Sequence, residues 1–207
     1  MNDADVLVLH GSPGSGKSTL SRAVAERLRT ADVANAVIDL DELSLVYPHP
    51  GRWFARNNLK AIWPTFAAIP HLKVILPTVV ADEEELGQLR AAVPASTFVV
   101  CELTAPVSVL KARVTAREPN EFWQRRLQDF VDLYHRKTDL AKVRDFQVVT
   151  HDRSVDESAQ EVVERAGWAP TRAPRCAMIG PARTSTGTPT TSSLPTWPLA
   201  PDSTASP

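Results

Sequence analysis

Residues 5–19 read DVLVLHGSPGSGKST, and this stretch decides the fold. Its first half, DVLVLH, is a short apolar run of the kind that forms a buried strand, stopped by Gly11 and Pro13. From Ser18 to Arg29 the apolar residues Leu20, Ala23, Val24 and Leu28 recur at helical spacing. Between strand and helix, Gly11-Ser12-Pro13-Gly14-Ser15-Gly16-Lys17-Ser18 matches the pattern G-x-x-x-x-G-K-[ST] in full. Glycines tolerate positive φ and let backbone N–H groups converge on phosphate oxygens. The N-terminus of the following helix adds its partial positive charge at the same place. In this setting Lys17 can reach the β- and γ-phosphates of a nucleotide, and the Ser18 hydroxyl, followed by Thr19, can ligate Mg²⁺.

Outward from this turn, strands and helices alternate. Strands are expected at Asn35–Leu40, Lys73–Val80, Thr97–Leu103 and Phe146–Thr150. Helices are expected over residues 56–69, with Pro64 kinking or splitting the element, and over 82–92, 106–118, 127–142 and 154–166. Residues 119–126 read as a polar connection carrying Arg125 and Arg126. Such alternation implies an α/β protein with a mostly parallel sheet.

The second strand runs into Asp39-Leu40-Asp41. Alternation puts both carboxylates on one face, and strand carboxyl ends open onto the ligand crevice of such sheets. There they can hold Mg²⁺ through water or take a proton from an attacking hydroxyl. Alternatively, Asp41 is simply the cap of a helical turn. The third apolar run, Val74 to Val80, carries no acid, and Asp82 is the nearest.

A phosphate loop after strand one, D-x-D after strand two and an Arg-bearing connection after helix four together resemble the small P-loop kinases. These include the adenylylsulfate, shikimate, gluconate and chloramphenicol kinases and AAA-type small ATPases. The resemblance spans residues 5–168. It implies a P-loop NTPase fold, a five-stranded parallel sheet in order 2-3-1-4-5 between helices, and a lid. ATP and Mg²⁺ are the implied cofactors. Residue by residue, it implies that Gly11 to Thr19 bind the nucleotide, with Lys17 on the phosphates. Ser18 and Asp39 serve the metal, Asp41 is the substrate-facing base, and Arg113 packs on the nucleotide. Arg117, and Arg125 or Arg126, neutralise the transferred phosphoryl. The turn Thr150 to Ser154 falls where such folds contact the base.

The acceptor is expected between strands two and three, among Tyr47, His49, Arg52, Trp53, Arg56, Asn57, Asn58 and Trp63. Arg52 and Arg56 suit an anionic substrate, and the tryptophans suit stacking or plain packing. A nucleoside or nucleotide kinase, and an ATP-binding switch with little turnover, stand as alternatives to a kinase of small hydroxyl compounds.

Composition narrows the field. Of 207 residues 43% are hydrophobic, the formal net charge is −1, and 17 prolines stand against 8 glycines. Eight of those prolines lie in Ala169 to Pro207, a Pro/Ser/Thr-rich stretch without periodicity, expected to be a disordered tail behind a domain over residues 1–168. That domain is net −3 and lacks a basic stripe, which argues against a nucleic-acid partner. No apolar run approaches the ~20 residues of a membrane helix, and the acidic N-terminus does not read as a secretory leader. Cys101 and Cys176 make no disulfide framework, and no histidine spacing suits zinc. A cytoplasmic address is expected.

Overall fold

The computed structural model describes residues 4–95, 97–136 and 143–169. Five strands form one parallel sheet: β1 (Asp5–Gly11), β2 (Asn35–Val37), β3 (Lys73–Thr78), β4 (Thr97–Thr104) and β5 (Phe146–Val149), in the order β2-β3-β1-β4-β5. Six α-helices accompany it among the described residues: α1 (Lys17–Thr30), α2 (Arg52–Ala67), α3 (Glu83–Ala92), α4 (Val107–Arg117), α5 (Glu121–Arg136) and α6 (Val155–Arg165). None is long and apolar enough to cross a membrane.

β1 sits at the centre, paired with β3 on one side and β4 on the other. Its side chains alternate between two apolar layers. Val6 and Val8 join Leu59, Trp63, Val74, Leu76, Leu86 and Leu89 under α2 and α3. Leu7 and Leu9 join Leu20, Val24, Leu28, Ile75, Leu103 and Val162 under α1 and α6. Cys101 belongs to this second layer as buried core, as its place in an apolar strand implies. A third, smaller cluster of Ala105, Leu110, Val114 and Val131 holds α4 to α5. Because the chain leaves β1 for β2 and β3 on one side and returns to β4 on the other, the carboxyl end of β1 lies at the switch point where such sheets bind ligands.

Several element boundaries differ from expectation, β3 for example ending at Thr78 rather than Val80. α2 starts at Arg52 and continues through Pro64 rather than breaking there. Ala55, Leu59 and Trp63 recur every four residues on its buried face, and Trp63 Nε1 donates to Pro94 O over 3.1 Å. That packing offsets the lost helical hydrogen bond at Pro64. β2 stops at Val37, although Ile38 N still donates to Ile75 O over 3.0 Å.

The largest correction concerns residues 119–126. α5 begins at Glu121, so Arg125 and Arg126 lie on helix rather than in a connection. Asn120 Oδ1 accepts from the N–H groups of Phe122 (3.0 Å) and Trp123 (3.3 Å), starting the helix six residues before the apolar pattern does. The expected continuation of this helix over residues 137–142, and the expected tail from residue 170 onward, lie outside the described residues.

Candidate active site

The turn after β1 is built so tightly that only glycine fits at its two pivots. A Cβ on Gly11 would come within 2.7 Å of Leu103 O. On Gly14, at φ 79°, it would come within 2.6 Å of Leu110 O. β4 and α4 therefore press directly against the loop and fix its shape. Gly16 precedes α1, and its carbonyl accepts from Leu20 N at 2.8 Å. Two loop hydroxyls, Ser12 Oγ and Ser15 Oγ, are buried without a hydrogen-bond partner. Orphaned donors beside a helix N-terminus suit an incoming anion.

Lys17 folds back over this loop. Its Nζ donates to Gly11 O (2.8 Å) and Ser12 O (3.1 Å). Burial of the ammonium pushes its pKa down to about 8. The carboxylates of Asp41 and Asp39 pull it back up, whereas Arg117 pushes it further down. Lys17 is thus a pre-placed cation whose charged form gains most when an anion enters the loop.

Ser18, on the first turn of α1, donates through Oγ to Asp39 Oδ2 at 3.2 Å, joining α1 to the end of β2. Asp39 Oδ1 accepts the backbone N–H of Asp41 at 3.0 Å. This folded-back contact precedes a 3-10 turn at Glu42–Ser44. Asp41 flanks that turn but makes no side-chain capping bond, so its carboxylate is not spent as a cap. A hydroxyl and a carboxylate at the phosphate loop are hard oxygen donors suited to Mg²⁺. Among the described residues no cluster of three His, Cys, Asp or Glu could hold a metal. A cation here would therefore draw its other ligands from phosphate and water. Asp82, the nearest acid after β3, accepts from Glu85 N (2.9 Å) as the cap of α3.

Two cavities are relevant to the site, and the first borders the loop. One, of about 340 Å³, is lined by Gly14, Gly16, Thr19, Arg113, Arg117 and Arg153, among others. Here Arg113 spans two elements, with Nη1 donating to Gly14 O (3.3 Å) and Nη2 to Thr150 O (2.6 Å). Thr150 in turn donates to Ser15 O (3.1 Å), so the turn after β5 is laced to the phosphate loop. Arg113, Arg117 and the turn from Thr150 thus come together at one cavity. Arg125 and Arg126 do not line either cavity. Arg125 pairs with Glu121 (3.7 Å), and the Arg126 guanidinium lies 5.6 Å from the Phe122 ring centre.

The other cavity, of about 270 Å³, has Asp41, His49, Arg52 and Arg56 in its wall. Tyr47 and Trp53 are exposed, and Trp63 is core. Asn58 Nδ2 ties α2 to Leu43 O at 2.9 Å. Glu85 and Phe130 also line this cavity, and their sequence context, an acidic helix start and an amphipathic helix, gave no sign of it.

A buried polar chain at the end of β1 was equally silent in the sequence. Val80 N donates to His10 Nδ1 (3.0 Å), which leaves the proton of the neutral ring on Nε2. Nε2 lies 2.9 Å from Tyr134 Oη, which donates to Glu102 Oε1 at 3.0 Å; Arg144 pairs with Glu102 Oε2. Burial pushes His10 down to about 3, helped by the positive charges of Lys17, Arg144 and Arg52. Burial and the neighbouring Glu102 carboxylate push Tyr134 up. The ring next to the phosphate loop is therefore neutral and locked to α5.

A phosphate loop opening α1 at the crevice of a parallel 2-3-1-4-5 sheet defines a P-loop nucleotide-binding domain. The family model described as an AAA domain matches residues 6–137, and the chain belongs to that family. Comparison with curated proteins finds no match. Several solved structures share the fold. The Mycobacterium tuberculosis APS kinase in complex with AMPPNP and APS has a TM-score of 0.57 at 20% identity, covering 79% of this chain and 98% of that one. A gluconokinase from Sinorhizobium meliloti has a TM-score of 0.56 at 21% identity, over 79% and 91% of the two chains. The shikimate kinase of Acinetobacter baumannii in complex with shikimate has a TM-score of 0.53 at 16% identity, over 79% and 93%. At these identities the likeness is one of fold.

Proposed function

We propose that the protein is a Mg·ATP-dependent phosphotransferase that moves the γ-phosphoryl group to a hydroxyl of a small molecule. The observation that carries this reading is the division between two neighbouring carboxylates. Asp39 faces Ser18 of the phosphate loop, whereas Asp41, two residues on, faces the separate cavity of His49, Arg52 and Arg56. A nucleotide site and an acceptor site thus meet at one acidic hinge, the arrangement that in-line phosphoryl transfer needs.

In this reading Lys17 leaves the carbonyls of Gly11 and Ser12 for the phosphates, and the loop N–H groups orient them. Ser18 and Asp39 would hold Mg²⁺, which would supply charge neutralisation to the phosphates. Arg113 positions the nucleotide from the side of Gly14, and Arg117 faces the charge that develops during transfer. Asp41 accepts the proton of the acceptor hydroxyl as its oxygen bonds to phosphorus and the bond to the β-phosphate oxygen breaks. Nothing in this scheme draws on Arg125 or Arg126.

An ATP-consumption screen over pooled hydroxylated metabolites, with nucleosides and nucleotides in separate pools, tests the reading. Consumption dependent on a non-nucleoside pool is expected. Consumption confined to the nucleoside pools assigns the enzyme to that class instead, and ATP binding without acceptor-dependent turnover in any pool identifies a nucleotide switch.

A further inference from the structure

In the cavity beside Asp41, the two arginines are already engaged. Arg52 Nε and Arg56 Nη1 each lie 3.1 Å from the same oxygen, Glu85 Oε1. The other oxygen of that carboxylate, Oε2, accepts the Ala81 N–H at 2.7 Å, and Arg52 Nη2 donates to Val79 O. Glu85 is only 15% exposed along its side chain and Arg56 only 21%. The carboxylate is thus held by the backbone on one edge and by two guanidiniums on the other, so that its charge already offsets part of theirs.

The charges of the cavity also balance: Arg52 and Arg56 stand against Glu85 and Asp41. An acceptor bearing a carboxylate or sulfate would add uncompensated negative charge next to Asp41, where the phosphoryl group itself must arrive. The rest of the wall combines the polar side chains of Ser44, His49 and Thr78 with a larger apolar part. Leu40, Ala55, Val80 and Leu89 are at most 7% exposed, and Phe130 of α5 faces the same space. A volume of about 270 Å³ lies at the small end for ligand pockets and suits one ring or a short chain.

We infer that the acceptor is an uncharged hydroxyl compound with an apolar body, and that Glu85 sets this preference by occupying the guanidiniums of Arg52 and Arg56. The inference rests on the reading of this cavity as the acceptor site. It departs from the expectation that the arginine pair serves an anionic substrate. Glu85 acts here as a specificity determinant, and removing its charge leaves two arginines against Asp41 alone, which turns the cavity into an anion receptor.

The test is binding, measured by calorimetry and thermal shift on the full chain saturated with Mg·AMPPNP, so that added anions do not compete for the phosphate loop. The probes are matched pairs: shikimate with its methyl ester, and gluconate with sorbitol. Wild type is expected to bind the uncharged member of a pair at least tenfold more tightly than the acid, or to bind neither. Glu85→Gln is expected to raise affinity for the acids at least tenfold without changing that for Mg·AMPPNP. Wild type favouring the acids overturns the inference. So does Glu85→Gln that still binds Mg·AMPPNP but gains nothing for the acids. Should Glu85→Gln not fold, Glu85→Met, which also removes the charge while keeping the length of the side chain, carries the same prediction and the same refutation. Since the analogue cannot transfer its phosphate, an absence of kinase turnover in the screen would leave these outcomes readable.

Discussion

The Ser18 hydroxyl and the Asp39 carboxylate meet at 3.2 Å although 21 residues separate them. Ser18 rides on the first turn of α1 and Asp39 follows β2, so the contact forms only when the sheet has brought β2 to the β3 side of β1. It is exposed, and an exposed polar contact contributes little to folding. In the proposed function its value lies in placing a carboxylate beside the hydroxyl that would meet a phosphate-bound cation.

Asp39→Ala should therefore leave the fold intact, with stability changed by no more than about 0.5 kcal/mol, and remove the effect of Mg²⁺ on nucleotide binding. Thermal stabilisation by ATP, recorded with Mg²⁺ and with EDTA, checks this. The two conditions should converge in the variant and differ in wild type. An undiminished Mg²⁺ increment would place the metal elsewhere.

Arg113 fastens the phosphate loop to the turn after β5 through Gly14 O and Thr150 O. Its loss should weaken Mg·AMPPNP binding about tenfold, or ~1.4 kcal/mol. Arg126→Ala, by contrast, should stay within about twofold, because that guanidinium lies over the exposed Phe122 and Trp123 rings. Calorimetric titration of both variants separates the roles. Equal losses would return residues 125–126 to the nucleotide site.

Their misplacement marks where the sequence was hard to read. The phosphate loop, the alternation of β1 and the D-x-D pair are local patterns, and the structure brings Lys17, Ser18, Asp39 and Arg113 into one neighbourhood. By contrast, α5 opens on Glu121 and two exposed aromatics set among polar residues, and only the spacing of Trp123 to Leu127 and the Asn120 cap announce its first turns. Glu85 looked like an ordinary acidic residue at a helix start, and it does sit in the first turn of α3. Its pairing with Arg52 and Arg56 is a tertiary fact, 29 residues removed from Arg56. His10 reads as one polar residue ending a strand. Only the packing of α5 supplies Tyr134 and makes it the centre of a buried chain.

That chain predicts a pH dependence of stability. His10 is held neutral in the folded protein, at about 3, but titrates near its ordinary 6.5 when unfolded. Between those values the unfolded chain binds the extra proton, so stability falls as pH falls, by about 1.4 kcal/mol per pH unit from this group. Above pH 6.5 the term vanishes. His10→Gln keeps a donor toward Tyr134 but does not titrate, so its stability should be flatter than wild type between pH 6.5 and 5. Urea denaturation across this window measures the difference. Parallel slopes would mean that His10 is not the group responsible.

The most direct measurement compares Asp41→Asn with wild type for Mg·ATP affinity and for phosphoryl transfer to the acceptor pool found active, followed by ³¹P NMR. Asp41 lines the cavity of Arg52 and Arg56, the proposed acceptor site, and makes no capping bond, so the variant should bind Mg·ATP within about threefold of wild type. Appearance of the phosphomonoester signal should slow by about 100-fold or more, the scale of a lost general base. Transfer at a near-normal rate in Asp41→Asn would contradict the division of the site between Asp39 and Asp41.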